Sequence, residues 1–141
     1  MSAPVRPVVD RDNAAYFEGL QRGELHLQRC AACAEVRFPP LPACPRCGDE
    51  GVDDLLASGR GELYSWIVVH RAFSDAFADD VPYAVGVVSL AEGGRVLARL
   101  ELSQLADGEV SIGMAVEARF VEREGWTELR FAPEAAEAAR G

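Results

Sequence analysis

The sequence predicts a mainly β chain: an N-terminal helix, a four-cysteine ribbon, then a five-stranded barrel of the OB type. Three observations carry that expectation. All four cysteines fall in two C-x-x-C pairs, Cys30/Cys33 and Cys44/Cys47, inside the stretch CAACAEVRFPPLPACPRCG. From residue 61 onward, five segments rich in β-branched and aromatic residues alternate with turn-forming stretches. Before the cysteines, one short segment has helical periodicity. A length of 141 residues suits one domain, or one small domain with a smaller module attached.

Taken in order, residues 12–22 read as a short helix. Asp12 is the candidate N-cap, Ala15, Tyr16, Phe17 and Leu20 form an apolar stripe, and Gly23 can end it. So short a helix is marginal alone, so Tyr16, Phe17 and Leu20 must dock on the chain's own domain or face a partner. Residues 24–30 alternate Leu25 and Leu27 with polar neighbours, as an exposed strand would. Residues 34–40 return antiparallel until Pro39, Pro40 and Pro42 stop them. Residues 51–61 look like a linker punctuated by Gly59 and Gly61. The acidic pairs Asp53-Asp54 and Asp79-Asp80 read as solvated loop charge.

The barrel strands are expected over 61–73, 82–91, 95–102, 114–124 and 126–134. A polar loop spans 74–82, the turn Glu92-Gly93-Gly94 joins the second and third strands, and Glu124-Gly125 closes a hairpin. The longer connection at 103–113 has room for a helical turn, and the alanine-rich end reads as a fraying tail. The expected division is a helical segment 1–23, a ribbon 24–58, a barrel 59–133 and a tail 134–141.

Charge limits what such a chain can bind. The net charge is −9, and every Lys/Arg position is arginine. From residue 20 to 47 four arginines stand against two glutamates, +2, while from residue 48 onward the balance is −10. A nucleic-acid surface needs cations to neutralise phosphates, and the barrel half offers none to spare. The start, MSAPVRPVVDRD, lacks the apolar stretch of a secretory signal, and no apolar run approaches the roughly 20 residues of a membrane span. The expectation is a cytoplasmic protein with reduced thiols.

In that setting paired C-x-x-C motifs hold metal more often than they form disulfides. Two thiols three positions apart grip one ion from a tight knuckle, and two knuckles complete a tetrahedral shell with bonds of roughly 2.3 Å. Pro45 stiffens the second knuckle, and Gly48 follows it where a left-handed turn is easy; Ala34 holds the equivalent place in the first. The ten-residue spacer is shorter than the usual ribbon spacing, so it requires a tight hairpin. Zn2+ on Cys30, Cys33, Cys44 and Cys47 is the favoured reading. Iron also fits the rubredoxin-like CPRCG, and disulfides or redox thiols are the competing reading. Four thiolates leave zinc no open position, which makes the site structural. They also leave a local charge of −2, which Arg29, Arg37 and Arg46 either offset or turn into a positive rim for an anion.

With the YFEGL helix, the FPP after the first knuckle, CPRCG, GRGELYSW and PYAVGVVSL in that order, the chain resembles a known family. These are the zinc-ribbon and OB-fold proteins grouped as domain of unknown function 35, associated with acyl-CoA metabolism. The resemblance runs from about Tyr16 to Phe131; Ala34 stands where the family more commonly has glycine. It implies a non-catalytic partner subunit. Members associate with thiolase-fold enzymes, including acyltransferases and sterol side-chain aldolases, or are fused or bound to hot-dog-fold enoyl-CoA hydratases. A groove between ribbon, helix and one barrel face is implied to hold the coenzyme A portion or to dock the enzyme.

Coenzyme A carries a pyrophosphate and a 3′-phosphate, so its site wants arginine or helix N-termini. Arg22, Arg29 and Arg37 are the candidates, with His70 and Arg71 at the end of the first barrel strand as a second cluster. Tyr64, Trp66 and Tyr83 either stack on adenine or fill the barrel core. Catalysis by this chain alone is not expected. All four thiols are committed to metal, and neither His26 nor His70 stands in an acid-base or nucleophile motif. The leading function is therefore an accessory subunit that docks a thiolase-like or hydratase-like enzyme and helps seat acyl-CoA. A single-stranded nucleic-acid binder and a stand-alone acyl-CoA binder are the alternatives.

Overall fold

In the computed structural model residues 6–102 and 110–134 are described. The expected tail beyond 134 lies outside them, as does most of the connection at 103–113. Helix α1 spans Ala14–Gln21. Its N-cap residue is Asn13, one position later than the expected Asp12, because a reciprocal pair between Asp10 and Asn13 holds the preceding turn. The Asp10 carboxylate accepts the Asp12 and Asn13 amides, each at 2.9 Å, while Asn13 Oδ1 accepts the Asp10 amide at 2.7 Å. At the other end Gly23 takes φ +76°. Its amide donates to the Leu20 carbonyl and the Glu24 amide to the Gly19 carbonyl, a pair of hydrogen bonds that satisfies two of the helix's last carbonyls.

Three strands follow as one small sheet in the order β2-β1-β3: β1 (Leu25–Cys30), β2 (Val36–Arg37) and β3 (Val52–Ala57). Strand β2 is short, as the prolines require. Strand β3 corrects the linker expected at 51–61: it pairs with β1 along its whole length, from Leu25↔Ala57 to Cys30↔Val52. It also moves Asp53 and Asp54 from a loop onto a strand. Strand β1 is not the exposed strand its alternation implied, since Leu25 and Leu27 are buried against the barrel.

The remaining five strands close into a barrel: β4 (Arg60–Val69), β5 (Tyr83–Leu90), β6 (Arg95–Leu100), β7 (Ala115–Arg123) and β8 (Trp126–Pro133). Their order is β4-β5-β6-β8-β7, with β7 returning to β4. The seam between β6 and β8 is parallel and every other pairing antiparallel, the arrangement of an OB barrel. Strand β4 ends at Val69, so His70 and Arg71 stand just beyond it, exposed, in the connection to β5.

Barrel interior and ribbon share one core. Leu63, Val88, Val96, Leu100, Val116, Leu129 and Phe131 fill the barrel, and Leu20, Leu25, Leu27 and Ala57 join the same cluster from outside it. Burying one such side chain fully contributes about 1.5–3 kcal/mol. Gly86 leaves room where β5 crosses this core: a Cβ there would lie 2.9 Å from both Leu63 and Leu100, so the tips of those leucines would have to shift. No helix among the described residues is long and apolar enough to cross a membrane.

Candidate metal centre and its surroundings

The two knuckles are built alike. In each, the amide of the first cysteine donates to the carbonyl five residues on: Cys30 to Glu35 at 2.8 Å, Cys44 to Asp49 at 2.9 Å. In each, the amide four residues on returns to that cysteine's carbonyl, from Ala34 and from Gly48. This geometry drives the fourth residue into the left-handed region, with φ +63° at Ala34 and +81° at Gly48. Alanine there is strained where glycine is free, which is the asymmetry the sequence implied.

The hairpin β1–β2 and the second knuckle bring all four predicted thiols together, their Sγ atoms within 4.8 Å of one another. Cys30 and Cys47 stand 3.5 Å apart, Cys33 and Cys44 3.7 Å. A tetrahedron with Zn–S bonds of roughly 2.3 Å has edges of roughly 3.8 Å, so the cluster fits one zinc ion. The cysteine opening each knuckle is buried, and its thiol is the more acidic of its pair. The Cys47 amide, and then that of Arg46, brings the Cys44 thiol down to about 6. The Cys33 amide, 3.5 Å from the sulfur, lowers the Cys30 thiol likewise. When bound, zinc ties the two knuckles into one unit. Every one of the four positions is then taken by the chain, so nothing is left for substrate.

The arginines beside the cysteines divide into different tasks. Arg46 is held chiefly by Glu35, at 3.1 Å, and feels the Cys33 and Cys44 sulfurs as well. Arg29 is half-buried on β1, and its side chain makes no hydrogen bond or ion pair among the described residues. Arg37 is buried, only 5% exposed. Its Nε donates to Gln28 Oε1 at 2.6 Å and one terminal nitrogen to the Leu41 carbonyl at 3.3 Å, while the other has no partner. It lines a hollow of about 520 Å³ between ribbon and barrel with Phe38, Leu41, Pro45, Ser89 and Arg95. Arg22 is exposed and paired with Glu24 at 3.1 Å. Arg71 lies over the exposed Phe73 ring at 5.3 Å, far from the ribbon in the chain, and His70 precedes it.

The helix gives Tyr16, Phe17 and Leu20 of its apolar stripe to its own domain, while Ala15 is exposed. Leu20 is 1% exposed, so it has nothing to offer a partner. Tyr16 and Phe17 are half-buried against the core, and Tyr16 packs edge-on to Phe17 and Phe38 at 4.9 and 5.5 Å. Of the three aromatics weighed for stacking, Trp66 packs against the core while Tyr64 is half exposed under Arg95, whose guanidinium lies 3.7 Å from its ring. Tyr83 is covered by Arg99 at 4.4 Å.

Two features were missed in the sequence. The first is a cross-strand row of arginines, Arg99↔Arg130↔Arg119, over the parallel seam of the barrel. They line a cleft of about 540 Å³ with Glu101. Like charges side by side repel, and each here has an acid: Asp80 at 3.1 Å, Glu128 at 2.9 Å and Glu117 at 2.9 Å. The repeated pattern of an arginine between apolar strand residues (LARLEL, EARFVE, ELRFAP) was the available signal. Asp80 is therefore an ion-pair partner and not loose loop charge.

The second is His26, whose ring is clamped between Glu24 at 2.8 Å from Nε2 and Asp54 at 2.8 Å from Nδ1. The Glu24 bond first, and Asp54 after it, raise the His26 pKa; burial opposes them. A raised pKa means the clamp stabilises the fold fully below the unfolded value of about 6.5 and fades as pH climbs through the folded value. The wild-type thermal midpoint, followed relative to His26→Gln, is expected to fall as pH rises above about 6.5; a constant difference between the two proteins would refute the clamp.

This geometry is shared with known proteins. The family model of the ChsH2 rubredoxin-like zinc ribbon domain matches residues 17–53, and that of the ChsH2 C-terminal OB-fold domain matches residues 56–121. A chain from a solved structure titled Ltp2-ChsH2(DUF35) aldolase superposes with TM-score 0.76 at 40% identity, covering 91% of this chain and 98% of that one. The chain belongs to the DUF35 family. Within DUF35, a probable enoyl-CoA hydratase alpha subunit of Thermomonospora curvata is 43% identical over 111 residues, covering 79% of this chain and 34% of that protein. The benzoylsuccinyl-CoA thiolase subunit BbsA of Thauera aromatica is 38% identical over 77 residues, covering 52% and 49%. The chain thus spans about a third of the first relative and about half of the second. It carries matches to both ChsH2 domains, the ribbon first and the barrel after it.

Proposed function

We propose that this chain is a non-catalytic accessory subunit of an acyl-CoA-processing enzyme, a thiolase-fold acyltransferase or aldolase or a hot-dog-fold hydratase. One observation carries the reading. The solved chain it matches over 98% of its length comes from a structure named Ltp2-ChsH2(DUF35) aldolase, and the two relatives above are named as subunits of a hydratase and a thiolase. The site chemistry supports it: the thiol cluster fits a closed structural metal, and His26 is locked by two carboxylates rather than poised to move a proton. The helical segment 1–23, ribbon 24–58 and barrel 59–133 work as one cytoplasmic platform.

An acyl-CoA on this platform finds its best anion contacts in the hollow between ribbon and barrel. Arg37 there has no carboxylate partner among the described residues and keeps one unbonded nitrogen. Arg29 is the next free cation, whereas Arg22 is already neutralised. His70 and Arg71 form a separate exposed cluster that suits a partner contact better than the hollow. Purification of the tagged chain from its native host tests the reading. A hydratase, thiolase or aldolase subunit is expected in near-stoichiometric amount, and its absence overturns the proposal. Calorimetry with coenzyme A then separates a subunit, which binds it only with the enzyme present, from a stand-alone binder.

A further inference from the structure

Strand β5 buries Ala84, Val88 and Leu90 on its inward side, yet its outward positions include Val85 and Val87. The strands beside it repeat that character in register. Ser65↔Val87↔Leu97 forms one outward row and Ile67↔Val85↔Arg99 the next. A bulge between Leu63 and Ser65 turns Tyr64 outward, and the Arg95 guanidinium reaches across β5 to cover its ring. Tyr64, Ile67 and Leu97 are 51%, 63% and 61% exposed. Three of the nine large apolar side chains exposed among the described residues therefore share one face of three strands. Scattered exposed leucines need no explanation, but a contiguous patch does.

We infer that the outward face of β4–β5–β6 is the surface on which the enzyme subunit docks, through an apolar segment bearing a carboxylate opposite Arg95. The inference rests on the accessory-subunit reading. Charge decides the occupant. Arg99 is already held by Asp80 at 3.1 Å, whereas Arg95 makes no ion pair among the described residues. In a chain of net charge −9, an unpaired guanidinium at the edge of an apolar patch calls for an acid from outside. Nucleic acid would need several free cations on this face, interleaved with open aromatic rings; of its two arginines only Arg95 is unpaired among the described residues, and that one already covers Tyr64. Aromatic and arginine anchors amid aliphatic side chains are what the centre of a protein interface contains. A full interface engages roughly 20–30 residues a side, so this patch is its centre and not its whole footprint.

The test uses the zinc-loaded full chain and the enzyme subunit that co-purifies with it. Ile67→Glu and Leu97→Glu point outward and leave the fold intact. Each is expected to weaken association at least about tenfold, while Leu56→Glu, equally exposed on β3, leaves it unchanged. Hydroxyl-radical labelling of wild-type Tyr64 and Leu97 is expected to drop on complex formation, a readout that does not depend on any variant. If the wild type binds while both variants bind equally well and labelling is unchanged, the docking face is wrong and the subunit reading stands. If no enzyme subunit co-purifies, the subunit reading itself falls. A concentration-dependent dimer of the chain that Leu97→Glu abolishes would assign the face to a second copy and overturn the inference.

Discussion

Replacing Cys44 by serine is expected to reduce bound zinc from about one equivalent to almost none after mild chelation, and to lower stability by more than about 4 kcal/mol. Cys44 is 3% exposed and opens the second knuckle. Its sulfur accepts the Cys47 and Arg46 amides and lies 3.7 Å from Cys33. Three thiolates cannot close the tetrahedron, and a hydroxyl is a poor fourth ligand for zinc. The loss does not stop at the ribbon. Leu25, Leu27 and Ala57 belong to the same buried cluster as the barrel's Leu63 and Phe131. A ribbon released from its metal withdraws those side chains, so the barrel's urea midpoint falls with it. Metal analysis together with urea unfolding before and after chelation checks both parts. Equimolar zinc in Cys44→Ser, or an unchanged midpoint after chelation of the wild type, would show that the cluster is not a metal site. A red protein would mean iron in place of zinc.

Truncating Leu20 to alanine is expected to cost about 2–5 kcal/mol, the range for opening a cavity in a packed core. Leu20 is 1% exposed and sits where α1, the ribbon strands and the barrel meet. The cavity cannot collapse easily, because the helix is pinned next door. A Cβ added to Gly19 would run into the His26 ring, and that ring is itself fixed by Glu24 and Asp54. On the same helix Tyr16 packs edge-on to Phe17 and Phe38. Burial, and secondarily Glu128, holds its phenol far above the ordinary tyrosine value, so it stays neutral at any working pH. Phe73→Ala is the control, since Phe73 is 87% exposed and its loss should change stability by less than about 0.5 kcal/mol. Urea unfolding of the two variants decides the matter. Unchanged stability in Leu20→Ala, with partner binding lost, would return the helix to the role of partner contact.

What could be read from the chain beforehand follows from how local the determinants are. Knuckle spacing is fixed over four residues by covalent geometry, so the thiol cluster and the discomfort of Ala34 were both legible. Gly23 ended the helix where a positive φ was needed. The barrel strands carried long β-rich runs that the closed sheet confirmed. Strand β3 was illegible because VDDLLA doubles its acids and its leucines, which hides the period of two. Its pairing comes wholly from β1, more than 20 residues earlier in the sequence. The same distance hid the clamp on His26, whose second carboxylate, Asp54, arrives only with that strand. Arginine tasks were equally non-local. Nothing in the sequence separates the buried Arg37 from the solvent-facing Arg22, and the recurring arginines of the barrel strands become one row, Arg99, Arg130 and Arg119, only through the strand register.

Strand β3 belongs to both halves of the molecule. Along its length it is stitched to β1, yet its last residue, Ala57, is buried with the barrel's side chains. The two matching family models abut inside it, one ending at 53 and the other beginning at 56. A chimera cut at that junction would split the strand and leave each parent with a frayed edge. Grafting a foreign metal hairpin onto this barrel should succeed only when the donor's equivalent of β3 travels with it, together with a small residue to fill the place of Ala57.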